Sequence, residues 1–178
     1  MFFNELQQIK AVGELVSIYR NRDDTNKFAS GYVVGVNERF YILALISPNG
    51  DYDGFRLKET EVIYQIVRGG PDEQRMSKLG DIKKVKINES FENDDLVKEL
   101  LEFALKRQKI VTIELFASDY DDCIGLVKSV DDGLCRTQLI NKYGEPDGIS
   151  LVKLSDITTI DCDYDYDRGL KILYESRG

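Results

Sequence analysis

Residues 31–66 repeat at 125–160, at an offset of 94 and without a gap; this duplication constrains the fold more than any other feature of the chain. Eleven of the thirty-six aligned positions are identical: Gly31/Gly125, Val33/Val127, Val36/Val130, Leu45/Leu139, Ile46/Ile140, Gly50/Gly144, Asp53/Asp147, Gly54/Gly148, Leu57/Leu151, Ile63/Ile157 and Ile66/Ile160. Each is apolar, a glycine, or the aspartate of an Asp-Gly turn. What is shared is therefore a core and its turns, and such a chain folds as two copies of one small module. A 178-residue chain gives each copy a thin core of its own. No shared position carries a reactive side chain, so the repeat speaks to architecture and not to chemistry.

The hydrophobic pattern predicts the same order of elements in each copy. A helix comes first: Leu6, Ile9 and Val12 share a face before Gly13 in copy one, and Leu96, Leu100, Phe103 and Ala104 form a stripe in copy two. In the second helix Asn93 is placed to cap, Asp94 and Asp95 to fill the first turn, and Lys106, Arg107 and Lys109 to close the last, as the macrodipole favours. Strands follow at Leu15–Tyr19 and Ile110–Glu114, then long hairpins over 28–47 and 123–141 that reverse at 37–39 and 131–133. The shared valines sit three apart, Val33/Val36 and Val127/Val130, which breaks strand alternation and predicts a bulge after the shared glycine. The pattern G-x-x-D-G at 50–54 and 144–148 is accounted for by turn chemistry. Two short strands end each copy, at 55–58 with 62–66 and at 149–152 with 157–160. The expected fold is mainly β with short helices: two tandem helix-plus-five-strand barrels, 1–67 and 93–178, joined by a basic linker, 68–92, with an acidic extension at the C-terminus.

Composition excludes several functional classes. The chain has no histidine, which removes His-based acid/base chemistry, Ser-His and Cys-His nucleophile pairs and imidazole metal sites. Cys123, Cys135 and Cys162 are odd in number and lack C-x-x-C spacing, and they read as small buried hydrophobes kept reduced. No run reaches the ~20 apolar residues of a membrane helix, and the first residues lack a signal-peptide pattern. These features predict a cytoplasmic protein without a membrane partner. Of the net charge of −8, residues 1–90 carry none, with 13 basic and 13 acidic side chains; the second half, with 11 and 19, carries it all. That balance opposes tight, sequence-independent binding of a polyanion.

Two charged runs are candidate contact sites. Arg68, Arg75, Lys78, Lys83, Lys84 and Lys86 outnumber Asp72, Glu73 and Asp81 in the joining segment, where Gly69-Gly70-Pro71 reads as a linker and Ile82–Ile87 as an extra strand. They form either a solvated surface matching an acidic patch or a phosphate-binding strip. Asp161, Asp163, Asp165 and Asp167 alternate with Cys162, Tyr164 and Tyr166; as a strand, this run would show four carboxylates on one face. An acidic edge that discourages aggregation, a docking strip for a basic partner and a Ca²⁺ loop are its readings. The Ca²⁺ reading lacks a glycine in register and has Tyr174 where a twelfth-position glutamate belongs. No metal or other cofactor is expected.

A helix followed by five strands, with a sharply bent second strand, resembles the Sm/LSm-like small barrel. The residues that carry the resemblance are Gly125-Leu126-Val127-Lys128-Ser129-Val130-Asp131, matching that family's first motif up to its aspartate, and Gly31-Tyr32-Val33-Val34-Gly35-Val36-Asn37, with asparagine in its place. The family's base-gripping asparagine is replaced by Tyr41 and Cys135, and its Arg-Gly pair by Glu59-Thr60 and Lys153-Leu154; Val67-Arg68-Gly69-Gly70 has the look of that pair but falls after the fifth strand. The resemblance implies a barrel with exposed edges on strands four and five, which pair between subunits in the family, without its uridine pocket.

The sequence thus favours a non-enzymatic interaction or assembly module acting on protein partners, with edge-strand pairing as a route to homo-oligomers. The rival is RNA binding by copy one and the basic segment, with tyrosines, ten in all, as stacking platforms. An enzyme would need convergent carboxylates such as Asp131, Asp132 and Asp147.

Overall fold

The computed structural model describes residues 1–116, 118 and 120–178. It divides into two compact units, Met1–Leu96 and Val97–Gly178. Both are mainly β with short helices.

Unit 1 opens with α1 (Phe3–Val12), which buries Leu6 and Ile9 and stops at Gly13, a left-handed residue whose N–H reaches the Ile9 carbonyl. Val12 is exposed rather than part of the apolar face. Five strands follow: β1 (Leu15–Tyr19), β2 (Phe28–Val36), β3 (Phe40–Ile46), β4 (Tyr52–Glu59) and β5 (Gln65–Arg68). Their order is β5-β1-β2-β3-β4, all antiparallel. Unit 2 repeats it. After α3 (Leu96–Arg107) come β6 (Ile110–Leu115), β7 (Cys123–Asp131), β8 (Leu134–Ile140), β9 (Pro146–Lys153) and β10 (Ile157–Cys162), in the order β10-β6-β7-β8-β9. A single 3₁₀ turn separates the last two strands of each unit, at Thr60–Val62 and Leu154–Asp156. Since α3 starts at Leu96, Asp94 and Asp95 lie ahead of its first turn.

The offset of 94 holds at the level of register. Gly31 pairs with Leu45 and Gly125 with Leu139; bulges fall at Val33/Gly35 and Val127/Ser129, and again at Ala44/Ile46 and Gln138/Ile140. The shared Gly31 and Gly125 sit where the bent strand crosses its neighbour, and an added Cβ would overlap the carbonyl oxygens of Ala44 and Gln138. Among the described residues, neither set of five strands is closed by a ladder between its two outer strands, so the closed barrel expected of each copy is instead an open five-stranded sheet.

The joining segment, expected without a helix, contains one. Residues Pro71–Lys83 form helix α2, with Gly70 as N-cap, proline in the first turn and Asp72 and Glu73 beside it. Gly-Gly-Pro here is a helix start, because proline's missing N–H costs nothing at that position. The helix covers the expected strand at Ile82, and Lys84 ends it in a left-handed conformation. Unit 2 has the same element: α4 (Asp165–Glu175) follows β10. The acidic run is therefore not one strand. Asp161 lies in β10, Asp163 turns the chain with φ of 62°, and Asp165 and Asp167 are in the first turn of α4.

The sheet of unit 1 is covered on both faces. In unit 1 α1 closes one over Val16, Ile18, Val33, Tyr41, Leu43, Leu45 and Ile63. The other packs against α2 through Leu15, Ile46 and Met76, and in unit 2 Ile110, Ile140 and Leu170 do the same under α4. The glycine of G-x-x-D-G serves this second layer. Gly50 (φ 80°) and Gly144 (φ 79°) lie so close to the helix that a Cβ would come within 2.8 Å of the Gly80 and Tyr174 backbone nitrogens. That motif is a packing contact as well as a turn.

Candidate functional site

The polar counterpart of this helix–sheet layer is a buried carboxylate in each unit. Glu73 and Asp167 occupy the third position of α2 and α4 and are 5% and 2% exposed. The Glu73 carboxylate is bonded to the Ser17 hydroxyl, which also lies 2.8 Å from Ser30 Oγ. Asp167 accepts from Thr112 Oγ1 at 3.2 Å and from the Tyr164 backbone N–H at 3.2 Å. Ser17 and Thr112 are the third residues of β1 and β6, so the device is the same. The longer Glu73 side chain reaches back to where a Gly70 Cβ would stand, whereas the shorter Asp167 faces Tyr164. Burial pushes the Asp167 carboxyl up to about 7, with Asp161 and Asp163 adding to the rise against the two hydrogen bonds. These groups tie helix to sheet in both units.

The sequence-predicted cations are exposed but mostly engaged. Arg68 pairs with Glu5 and Glu14, Arg75 donates to the Pro48 carbonyl at 2.7 Å, and Lys83 pairs with Asp51 at 2.8 Å. Lys78 lines an open cleft of about 320 Å³ together with Glu14, Glu73 and Asp81, an acidic setting. Lys84 and Lys86 are exposed at and beyond the end of α2. The exposed large tyrosines, Tyr120, Tyr143, Tyr164 and Tyr166, all belong to unit 2. The four aspartates are dispersed: Asp163 pairs with Lys109 at 3.1 Å, Asp165 with Arg168 at 3.4 Å, and Asp167 is buried. Among the described residues, no group of three or more acids and cysteines is placed to hold a metal ion. The three cysteines are buried and unpaired, and burial raises the Cys135 and Cys162 thiols, which disfavours thiolate chemistry.

The units differ in what lies over the outer side of their third and fourth strands. In unit 1 this surface is Phe40, Ile42, Phe55 and Leu57, all buried. A strap, residues 87–96, lies on it. The Phe91 ring meets Phe55 edge-on, centroids 5.4 Å apart, and the Phe91 N–H donates to the Val34 carbonyl at 2.8 Å, inside the β2 bulge. Gly35 leaves the space that Phe91, Ile42 and Leu96 fill; a Cβ there would stand 3.0–3.3 Å from them. Asn37 donates to the Asp94 carbonyl at 2.8 Å, and Lys10 holds Glu92 at 2.7 Å, which lowers that carboxyl's pKa.

In unit 2 the equivalent surface is bare. Leu57 is 0% exposed but Leu151 55%; Phe55 is 1% exposed but Ile149 49%; Phe40 is 5% exposed but Leu134 41%. Leu151 stands opposite Arg136, Ile149 opposite Gln138 and Leu134 opposite Lys153, so all six share one side of the β8–β9 ladder. Arg136 replaces Ile42, Lys153 replaces Glu59, and Lys128 replaces Val34 at the bulge. Sequence reasoning missed this surface because Leu151 is one of the identical positions and reads as core. The signal lay in the exchanges around it: two buried aliphatics of copy one are cations in copy two.

No family model, curated protein or solved structure matches the chain. No helix among the described residues is long and apolar enough to cross a membrane.

Proposed function

We propose that the chain is a non-enzymatic interaction module built of two tandem Sm-like units, and that its contact surface is the outer side of β8 and β9. The observation that carries this reading is the 55% exposure of Leu151 where its repeat partner Leu57 is fully buried. A contiguous aliphatic group with a charged margin, on a surface that the sister unit covers, is the signature of a contact site. The Sm-like reading is supported by the order β5-β1-β2-β3-β4 with its leading helix and bent second strand, found in both units. Edge pairing adds a route to self-association through β9, the last strand in its sheet, although Pro146, Asp147 and Lys153 along it oppose indiscriminate pairing.

RNA binding by copy one and its basic segment has less support, since Arg68, Arg75 and Lys83 are engaged within unit 1 and the exposed tyrosines lie elsewhere. The test uses the full chain as bait beside Leu134→Asp/Leu151→Asp. The reading expects polypeptides held by the wild type and lost by the variant. Equal capture by both, or capture of RNA alone, overturns it.

A further inference from the structure

Unit 1 contains a ligand of its own on the surface that unit 2 leaves open. The strap sequence, Ile87-Asn88-Glu89-Ser90-Phe91-Glu92-Asn93-Asp94-Asp95-Leu96, combines two buried anchors, Phe91 and Leu96, with four acidic residues, Glu89, Glu92, Asp94 and Asp95. The backbone of the bulge receives it, and a cation, Lys10, reads one of its acids.

The open surface has changed in the direction that suits such a segment arriving from another molecule. Relative to unit 1, Val34→Lys128 and Ile42→Arg136 each add a positive charge and Glu59→Lys153 reverses a negative one, while Asn37→Asp131 adds one negative charge and Arg39→Gly133 removes a positive one that lies over Phe40. The net change is toward positive, in the half of the chain that carries the whole acidic excess. Asp131 and Asp147 border the surface, Arg136 stands opposite Leu151 among its aliphatics, and Lys153 faces Leu134 at the end of the ladder. Ser129 in place of Gly35 fills part of the anchor's seat, so an aromatic ring would ride a few tenths of an ångström further out and gain a hydroxyl neighbour.

We propose that the β8–β9 surface of unit 2 binds an acidic protein segment carrying one aromatic and one aliphatic anchor, in the manner that the strap occupies unit 1. This rests on the interaction reading above and names the partner's chemistry. The anchors supply burial and the acids supply orientation and salt dependence.

The probe is a fluorescent peptide of strap sequence, residues 87–96, added to the full protein. The tethered strap holds unit 1 at an effective concentration on the order of millimolar, so the free peptide meets unit 2 first. Anisotropy should show saturable binding. It should weaken about tenfold or more when the peptide's Phe91 is alanine, and severalfold from low to high salt. Leu151→Asp and Arg136→Glu, both at exposed positions, should each abolish it without loss of folding. No binding at millimolar peptide, or binding indifferent to Leu151→Asp, overturns the proposal. So does concentration-dependent self-association lost in Leu151→Asp, which would make a second copy the occupant, and so does salt-sensitive RNA binding lost in Arg136→Glu. If the bait experiment captures polypeptides through this surface while the peptide fails, the interaction reading stands and the acidic-segment proposal falls; if both fail, both fall.

Discussion

Replacing Asp167 by asparagine should stabilise unit 2 at neutral pH and leave it almost unchanged in acid. The carboxyl is 2% exposed at the start of α4, and its pKa is raised from 3.8 to about 7, chiefly by burial. Between those values the folded protein keeps a proton that the unfolded chain has released. The unfolded state then binds fewer protons, so stability falls as pH rises through this window. Below it both states are protonated and nothing is lost; above it both are ionised and the full cost stands. Three units at about 1.36 kcal/mol each make that cost about 4 kcal/mol. Asparagine mimics the protonated acid: its Oδ1 can accept from Tyr164 N–H and its amide can donate to Thr112 Oγ1. It gives up the favourable carboxylate–helix interaction, about 0.5–1 kcal/mol, so the expected gain near neutrality is about 3 kcal/mol. Urea unfolding of both proteins at several values between pH 4 and 8 measures it, and taking the difference cancels every other titrating group. Amide exchange in β6 and β10 localises it. A flat difference, or one in which the wild type gains on the variant as pH rises, would show that the carboxylate is stabilised in place and would refute the reasoning.

Five further substitutions probe other parts of the account. Gly144→Ala should cost more than about 2 kcal/mol by thermal unfolding, because both φ and the α4 backbone oppose a Cβ, whereas Gly133→Ala, at similar φ with open space around it, should cost about 1 kcal/mol. Tyr41→Phe should leave stability equal or raise it by up to about 1 kcal/mol, since the Tyr41 hydroxyl is buried without a partner among the described residues and its pKa is pushed up to about 12. Phe91→Ala should destabilise unit 1 by about 3–5 kcal/mol through the lost contact with Phe55, seen as a lower urea midpoint and faster exchange in β3 and β4. Leu151→Asp should change stability by less than about 0.5 kcal/mol; a large loss would mean that this leucine is covered in solution.

Much of the fold was legible because its signals are local. The break in alternation at Val33/Val36 located the β2 bulge, and Asp132-Gly133 located a tight hairpin, since positive φ at both residues suits Asp-Gly. The helix after the fifth strand was not legible. Its two copies share only Leu79/Leu173 by identity over that stretch, and α2 buries only Glu73 and Met76, so periodicity is weak. The exchange of glutamate for aspartate at Glu73/Asp167 was a clue hidden in charge runs that looked like surface. Reading Asp161–Asp167 as one strip assumed that a strand would continue. The turn at Asp163 and the burial of Asp167 show that carboxylates at period two need not share an environment. The exposed β8–β9 surface was invisible for a different reason. Whether Leu151 is core depends on what lies above it, and among the described residues a strap lies over unit 1 alone.

Two copies of one module ordinarily drift apart most where neither packing nor turns constrain them. Here the inward layers have kept their devices: the crossing glycine, the two bulges, the glycine against the helix and the carboxylate all recur at an offset of 94, and the hydroxyl that each carboxylate meets recurs one residue further on. The outer side of the third and fourth strands has not. A surface released from its strap could have become wholly polar at little cost, because a strand's solvent side is free to do so. Its third and fourth positions in β8 did become Arg136 and Thr137, the cation outward and the threonine inward. Yet Leu134, Ile149 and Leu151 remain, adjacent to one another and beside the last strand of the sheet, where exposed aliphatics invite unwanted pairing. Cations interleaved with retained aliphatics are hard to explain as drift toward solvent and easy to explain as a seat whose occupant comes from elsewhere. A doubly polar variant, Leu134→Gln/Leu151→Gln, should therefore be at least as stable and less prone to aggregate than the wild type while losing its partners. If it instead unfolds more readily, the surface is part of the core and the argument from divergence fails.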